Sequence, residues 1–501
     1  MTYLKRVRVR MAPSPTGFLH IGSLRTALYN YLYAHKENGT FVLRIEDTDR
    51  ARLVEGAVEA IVKTLSDFNL TPDEGYIWKD GKVVEQGELG PYVQSQRLDL
   101  YKKYSLELLA NKSAYYCFCT PERLEELRNS QQAQKLAPKY DKHCLRLSDQ
   151  EIQERISKGD KYVVRLNVPA DKILGYDDLV FGRIEISSNE VDDQVLIKSD
   201  GYPTYHFAVV IDDHSMQISH VFRGDEYLSS TPKDLLLYEA LGWDLPKFVH
   251  LPPIISKVTK KKLSKREGDV SVQSFIDKGY LVEAIINFLV FLGWNPKTEQ
   301  EIFSLEELKN SFSIENLNKA GATFDLEKLD WFNSTYIRQM TLVDLQNKLE
   351  PFMVQAGLHH ENYSDEFIQE VIKLERDRIK TLSEIGDRVR YFFEEPKYEA
   401  QTLIWKKSDR EATHKILQGI YSYVHEIYQS DFQKDFLESE IKNYLLAHNI
   451  GTGDALWPLR VCLSGLEASP SPFEIMGAFG CLPNGKDIIL NRINTAIEKL
   501  A

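Results

Sequence analysis

The sequence predicts a multidomain protein: an α/β parallel-sheet core, an α/β insertion within that core, and an all-α C-terminal half. Three observations carry this. In the first half, short apolar runs alternate with helical periods, the pattern of a sheet covered by helices. From residue 272 onward the helical period takes over almost throughout, so the main domain boundary falls there. A length of 501 residues corresponds to about three to five domains at roughly 100–200 residues each.

Residues 6–12 alternate as Arg-Val-Arg-Val-Arg-Met-Ala and read as a strand, ended by Pro13, Pro15 and Gly17. Leu24–Glu37 carries apolar residues at 24, 27, 28, 31 and 32 and reads as a helix. Gly22 and Ser23 then sit at a helix N-terminus, where free backbone N–H groups favour anions. The plain alternative is a strand, a turn and a helix with Ser23 as its cap. Phe41–Ile45 is a short apolar strand that runs into Glu46-Asp47-Thr48-Asp49-Arg50. Acidic residues past a strand end lie on the ligand-binding edge of an α/β sheet, or else they cap the next helix. Helical patterns follow at 54–69 and 95–112, with the polar, Gly-containing stretch 73–90 as a loop between them.

Residues 115–210 change character. Pro121–Lys135 is a polar helical stretch, and strand-like runs at 161–168, 181–187 and 193–198 are broken by Gly, Asp and Pro. This is the predicted insertion. Tyr202–His214 reads as a return to a buried strand, and Val221–Tyr227 as another strand ending in charge. Thr231–Leu241 is a helix with Pro232 in its first turn. Phe248–Leu251 leads to Lys257–Arg266, a dense cationic loop. Later helices are expected at 281–292, 305–310, 325–333, 342–356, 364–392, 409–428, 435–448 and 486–500.

Cationic loops and glycine turns that open helices both suit phosphate groups. Pro13–Ser23 and Lys257–Arg266 together predict a nucleoside triphosphate held between segments far apart in sequence. Composition narrows the classes further. Five cysteines in 501 residues, an odd number, argue against a disulfide framework. No apolar run approaches the ~20 residues that span a bilayer. The N-terminus runs straight into a strand pattern and leaves no room for a signal peptide, so the expected location is cytoplasmic. The net charge of -12 means that a nucleic-acid partner would need basic residues gathered on one face.

With both phosphate-suited segments placed, the chain resembles a class I aminoacyl-tRNA synthetase. Pro15-Thr-Gly-Phe-Leu-His20-Ile-Gly22-Ser23 is similar to the HIGH motif, and Lys262-Leu-Ser-Lys265-Arg266 to the KMSKS motif. Five further segments resemble the bacterial-type glutamyl-tRNA synthetase: Arg10–Gly17, Arg44–Arg50, Gly90–Arg97, Asp200–His206 and Phe324–Leu329. The similarity runs nearly end to end. It departs from the HIGH pattern at Ser23, where the motif's second His would stand.

The resemblance implies a Rossmann-type catalytic core and a glutamate–tRNA ligase activity. The domains would be 1–114 and 201–266 for the two catalytic halves, and 115–200 for an inserted acceptor-end domain. A helical stem-contact domain would take 267–325, with two anticodon-binding helical domains at 326–400 and 401–501. The implied partners are ATP with Mg²⁺, L-glutamate and the glutamate tRNA, bound by a monomer with no membrane attachment.

By the same resemblance, His20, Lys262 and Lys265 would be catalytic, neutralising phosphate charge as pyrophosphate leaves. Gly17, Gly22, Ser23, Glu226, Ser264 and Arg266 would complete the ATP site. Arg10 would take the side-chain carboxylate of glutamate and Arg223 the α-carboxylate or its surroundings, since carboxylates favour bidentate Arg. Glu46 would hold the α-ammonium, with Ser14 and Tyr205 as further pocket residues. Val209 departs from relatives that carry Asn there. In the helical half, Glu375–Leu382 matches an anticodon-contacting segment, with Arg376 and Arg378 as the base-reading candidates; Arg378 falls near the position that excludes glutamine tRNA. The alternatives are a form that also charges glutamine tRNA and a non-catalytic tRNA-binding relative.

Cys117-Phe-Cys119 and Cys144 sit in the insertion, where zinc-bearing relatives have a CxC and a later Cys/His pair. A structural zinc site takes four ligands. Position 146, where a fourth would fall, is Arg, and His143 stands beside Cys144. Three unmetallated thiols are therefore expected, with a zinc site at Cys117, Cys119, Cys144 and His143 as the alternative. Cys462 and Cys481 are expected in the core.

Overall fold

The computed structural model describes residues 6–263, 270–406 and 408–501. The chain divides into two compact units. The first runs to Ile276 and resumes at Val282–Leu326; the second takes Asp277–Leu281 and Glu327–Ala501.

In the first unit, β1 (Arg8–Met11), β2 (Thr40–Leu43) and β3 (Glu74–Lys79) run parallel, and β4 (Lys82–Gln86) returns antiparallel. All four residues of β2 are buried, as expected of a parallel strand covered on both faces. β5 (Ala114–Cys117) pairs antiparallel with β6 (Val163–Leu166). β7 (Ile173–Asp178) and β8 (Gly182–Ser187) form a hairpin, and β9 (Val195–Ile197) pairs with β6. β10 (His220–Gly224) and β11 (Lys247–Leu251) run parallel, and β11 meets β7 at Phe248 and Asp178. Ser219, just before β10, joins that strand to β1: its N–H donates to Arg8 O at 2.9 Å. The β7–β8 hairpin of the insertion thus adds to the edge of the core sheet. β12 (Ile254–Ser256) pairs with β13 (Ala322–Phe324).

Helices pack around these strands: α1 (Ile21–Lys36), α2 (Ala57–Asp67), α3 (Leu98–Ala110), α4 (Pro121–Ala133), α5 (Asp149–Ser157), α6 (Tyr205–Ser215) and α7 (Thr231–Ala240). His20 rather than Ser23 caps α1, and the helix begins three residues earlier than its apolar period indicates.

Two sequence expectations are corrected here. The stretch 73–90 is not a loop but holds the β3–β4 hairpin. Its turn is Asp80-Gly81, with φ of 52° and 77°, the Asp-Gly pair that a type I′ turn requires. Tyr202–His214 is not a strand; most of it is α6. Its β-branched run favours a strand locally, but only a helix turns the adjacent Asp212 and Asp213 into the buried arginine cluster described below. Tertiary pairing overrides the propensity.

The second unit is helical among its described residues. Its helices span Leu326–Gln339 (which begins at the unit boundary), Leu342–Gln355, Asp365–Glu375, Ile385–Phe393, Arg410–Glu426, Lys434–Ala447, Thr452–Ser464, Pro472–Gly480 and Gly485–Leu500. The single helix expected over 364–392 is instead two, because Thr381 and Glu384 form a capping box that starts a new turn. The helices at 452–464 and 472–480 were not visible in the sequence, since Pro458 and flanking Gly and Pro interrupt the period. Cys462 is fully buried as expected, whereas Cys481 is only half-buried. Among the described residues no helix is long and apolar enough to cross a membrane.

Candidate active site

A cleft of about 790 Å³ opens at the carboxyl ends of the parallel strands, where α/β sheets place their ligands. Arg10, Ser14, His20, Gly22, Ser23, Glu46, Tyr205, Arg223, Glu226 and Lys262 all line it. Gly17 does not line it; its φ of 132° shapes the turn before His20. Ser264, Lys265 and Arg266 lie outside the described residues.

The floor is a buried charge network. Arg10, 4% exposed, donates from Nε to both carboxylate oxygens of Asp213, at 3.1 and 3.2 Å, and from Nη1 to Phe222 O at 3.1 Å. Arg44 is fully buried at the centre. It reaches Asp213 at 2.7 Å and Glu46 at 3.0 Å, and lies 3.7 Å from Asp212. Asp212 also accepts from Arg97 at 2.6 Å, Gln94 at 2.8 Å and Tyr101 at 2.9 Å. Burial pushes the Glu46 carboxyl up to about 7, against the opposing pull of Arg44 and Arg10.

Arg223 follows Phe222 on β10 and also lines the cleft. Its Nη2 donates to Thr231 Oγ1 at 2.7 Å and lies 2.9 Å from Asp234 Oδ2. Its Nη1 is buried and has no hydrogen-bond partner. The guanidinium sits 5.1 Å from the centre of the Tyr227 ring, which in turn lies 5.3 Å from that of Tyr205.

Lys262 and Leu263, from the cationic segment, line the same cleft as Ser14, His20, Gly22 and Ser23. Val272 N donates to Leu19 O at 2.9 Å, and Ile21 N to Val270 O at 3.1 Å, so the chain returning from the cationic loop pairs with the turn around His20. On the other side, Leu263 N donates to Ile254 O at 2.8 Å. His20 Nδ1 accepts from Gly22 N at 3.0 Å. In the neutral ring the proton then sits on Nε2, which becomes a donor. A Cβ at Gly22 would lie 3.2 Å from His20 Nδ1 and press on this contact. Lys262 Nζ lies 3.1 Å from Glu226 Oε2.

In the insertion, the Sγ atoms of Cys117, Cys119 and Cys144 all lie within 4.8 Å of one another. His143 is exposed and is not part of this group. The hydroxyl of Tyr140 stands beside the thiols, 3.4 Å from Cys117 Sγ and 3.2 Å from Cys119 Sγ. Hydrogen bonding from Cys144, with help from Tyr140, holds the Cys117 thiol low.

Comparison with known proteins shows the family. Residues 6–331 match the family model for the catalytic domain of class I tRNA synthetases (E and Q), and residues 344–497 match an anticodon binding domain. The chain is 43% identical over 499 residues to a glutamate–tRNA ligase of Finegoldia magna, covering 99% of this chain and 100% of that one. The chain belongs to the glutamate–tRNA ligase family. A second family member, from Clostridioides difficile, is 44% identical over 495 residues, covering 97% of this chain and 98% of that one. Among solved structures, a glutamate tRNA ligase from Elizabethkingia meningosepticum, in complex with its amino acid, superposes with a TM-score of 0.88 at 35% identity. That match covers 99% of this chain and 100% of the other.

For a glutamate–tRNA ligase the second unit carries the anticodon candidates. Arg376 and Arg378 fall in the irregular connection between the helices Asp365–Glu375 and Ile385–Phe393. Arg376 lines a second cleft, of about 980 Å³, in which Lys373 and Lys434 are paired with Glu370 and Glu474 and the carboxylates of Glu366 and Asp377 also stand. Arg378 does not line it; its Nε lies 3.6 Å from the buried carboxylate of Glu375.

Sequence reasoning missed Arg44 as the hub, Asp212 and Asp213 as its counter-ions, and Tyr140 beside the thiols. The adjacent Asp pair was the available signal for the second of these.

Proposed function

We propose that the cleft joins L-glutamate to ATP and then passes the glutamyl group to the 3′-terminal adenosine of the glutamate tRNA. One observation carries the reading. Glutamate brings two carboxylates and one ammonium. Of the three buried arginines on the cleft, Arg25 is spent on the backbone carbonyls of Leu292 and Pro252 at 2.7 and 2.6 Å, which leaves Arg10 and Arg223 for the carboxylates and the buried Glu46 for the ammonium.

In the first step a carboxylate oxygen of glutamate attacks the α-phosphorus of ATP and pyrophosphate leaves. His20 Nε2 donates to phosphate oxygens, and Lys262 and Lys265 balance the charge that grows on the leaving group. Mg²⁺ accompanies the ATP. In the second step the 2′-hydroxyl of the terminal adenosine attacks the acyl carbon and AMP leaves. Most of the rate enhancement falls to positioning and charge neutralisation.

The insertion, 115–200, would hold the acceptor end, and the helical half would read the anticodon, with Arg376 better placed than Arg378 to meet a base. The match of residues 344–497 to an anticodon binding domain supports the role of the helical half. The thiol group suits a structural zinc, with Cys117, Cys119 and Cys144 as ligands and Tyr140 on the fourth side. The sequence favoured three unmetallated thiols because no ligand stands at 146, and a metal analysis decides between the two readings. A cytoplasmic monomer remains the expected state.

The test is amino-acid selection. ATP consumption in the presence of a glutamate tRNA transcript is measured with glutamate, glutamine and aspartate. Glutamate preferred by at least about 10²-fold fits a pocket built on paired carboxylates; equal use of glutamine would contradict it.

A further inference from the structure

Arg223 is held from behind by a buried pair to which no sequence motif pointed. His250 stands directly opposite Arg223 in the parallel register of β10 and β11 and is fully buried. Its Nε2 lies 3.1 Å from Arg223 Nε, and its Nδ1 lies 2.7 Å from Asp178 Oδ2. A guanidinium nitrogen only donates, so His250 Nε2 must accept. The ring proton is then on Nδ1 and points to Asp178. Nε2 also lies 3.3 Å from Thr231 Oγ1, whose own proton goes to Tyr227 O at 2.8 Å. Only this neutral tautomer satisfies Arg223 and Asp178 together, and burial favours the neutral ring.

Asp178 is itself fixed. Its Oδ1 accepts from Val180 N at 2.9 Å and Phe181 N at 2.8 Å, and its Oδ2 accepts from His250 N at 3.1 Å. With Nε on His250 and Nη2 on Thr231 and Asp234, the plane of the Arg223 guanidinium is set, and Nη1 is the nitrogen left over.

We propose that Asp178 and His250 are positioning residues for glutamate: together they lock the guanidinium of Arg223, a residue that lines the cleft, in the plane from which it holds a substrate carboxylate. The inference rests on the glutamate reading above. It assigns no contact between His250 and the substrate; His250 acts through Arg223.

Three variants of the full chain test it, by steady-state charging of a glutamate tRNA transcript. His250→Leu removes the acceptor for Arg223 Nε. Misplacement of a binding group by an ångström costs about 10²-fold, so the glutamate KM is expected to rise about 10- to 100-fold, with the KM for ATP and for the transcript within about twofold. His250→Gln presents an amide oxygen to Arg223 and an amide N–H to Asp178, and should recover most of the loss. In Asp178→Asn the two backbone N–H groups claim the amide oxygen. The amide nitrogen then faces His250 and forces the opposite tautomer, which sets N–H against N–H at Arg223; the glutamate-specific loss should reappear.

Side-chain ¹⁵N NMR of His250 should show a neutral ring protonated at Nδ1 in the wild type and the opposite tautomer in Asp178→Asn. If His250→Leu does not fold, Asp178→Asn and the NMR reading decide. The proposal is overturned if the glutamate KM stays within about twofold in the variants, or if all three KM values rise together. It is also overturned if the wild-type ring is protonated at Nε2. A wild-type protein that charges no glutamate overturns the function instead, and leaves the tautomer measurement standing as the separate test of the pair.

Discussion

Lys262 and Glu226 form an ion pair at the cleft, with Nζ 3.1 Å from Oε2, although both side chains are at least half exposed. Such a pair contributes only about 0–1 kcal/mol, so a triphosphate can displace Glu226 from Lys262 at little cost. Lys262→Ala should leave the Tm within a degree or two while slowing glutamate activation by about 10²-fold. Glutamate KM should barely move. Stopped-flow pyrophosphate release is the direct readout, and unchanged release would remove Lys262 from the chemistry.

Arg44 answers to three carboxylates, Glu46, Asp212 and Asp213. Arg44→Met leaves buried charge short of its counter-ion, which typically costs about 3–5 kcal/mol. Urea unfolding should show that loss. Since Arg44 also orients Glu46, the surviving folded fraction should bind glutamate poorly. A variant as stable as the wild type would contradict the role given to this network.

Glu46 makes the reaction pH-dependent. Burial raises its carboxyl to about 7, and it must be ionised to hold an ammonium. The kcat/KM for glutamate should therefore fall as pH drops through about 7, and Glu46→Gln should lower activity and flatten that limb. Stability runs the other way. The folded carboxyl keeps its proton up to about 7, while the unfolded one releases it near 4.5. The folded state thus binds more protons in that window and loses stability as pH rises through it. Glu46→Gln should unfold at a higher temperature than the wild type at pH 8, and by a smaller margin at pH 5.

The thiol group gives a metal prediction. Protein purified without chelator should carry one zinc per chain by mass spectrometry. Cys119→Ser or Cys144→Ser should lose it, and Tyr140→Phe should weaken its retention against a chelator. Metal-free protein with three titratable thiols at these positions would restore the reading that the sequence favoured.

Much of the cleft was legible because its two halves are local motifs. The turn before His20 and the segment containing Lys262 each announce themselves by composition, and Arg10, Glu46 and Arg223 each follow a strand pattern to its end. What stayed hidden was contact between distant segments of polar residues. Asp212 and Asp213 lie in a β-branched run that reads as a strand, and only the arginines they meet make that run a helix. Asp178 and His250 are 72 residues apart, and nothing local to either one signals the other. Tyr140 looks like a packing aromatic until the fold sets its hydroxyl against the sulfurs. The helices at 452–464 and 472–480 were lost to internal or adjacent Pro and Gly, which local rules count as breaks and packing tolerates.

The central claim is most directly tested by incubating the purified full chain with ATP, Mg²⁺ and radiolabelled glutamate, on transcripts of glutamate tRNA and glutamine tRNA in parallel. The account predicts an alkali-labile glutamyl ester on the glutamate tRNA, lost in Arg223→Gln. Ester on the glutamine tRNA as well would keep the chemistry and widen the tRNA choice. No ester on either transcript, with folded protein and tRNA shown to be chargeable, would contradict it.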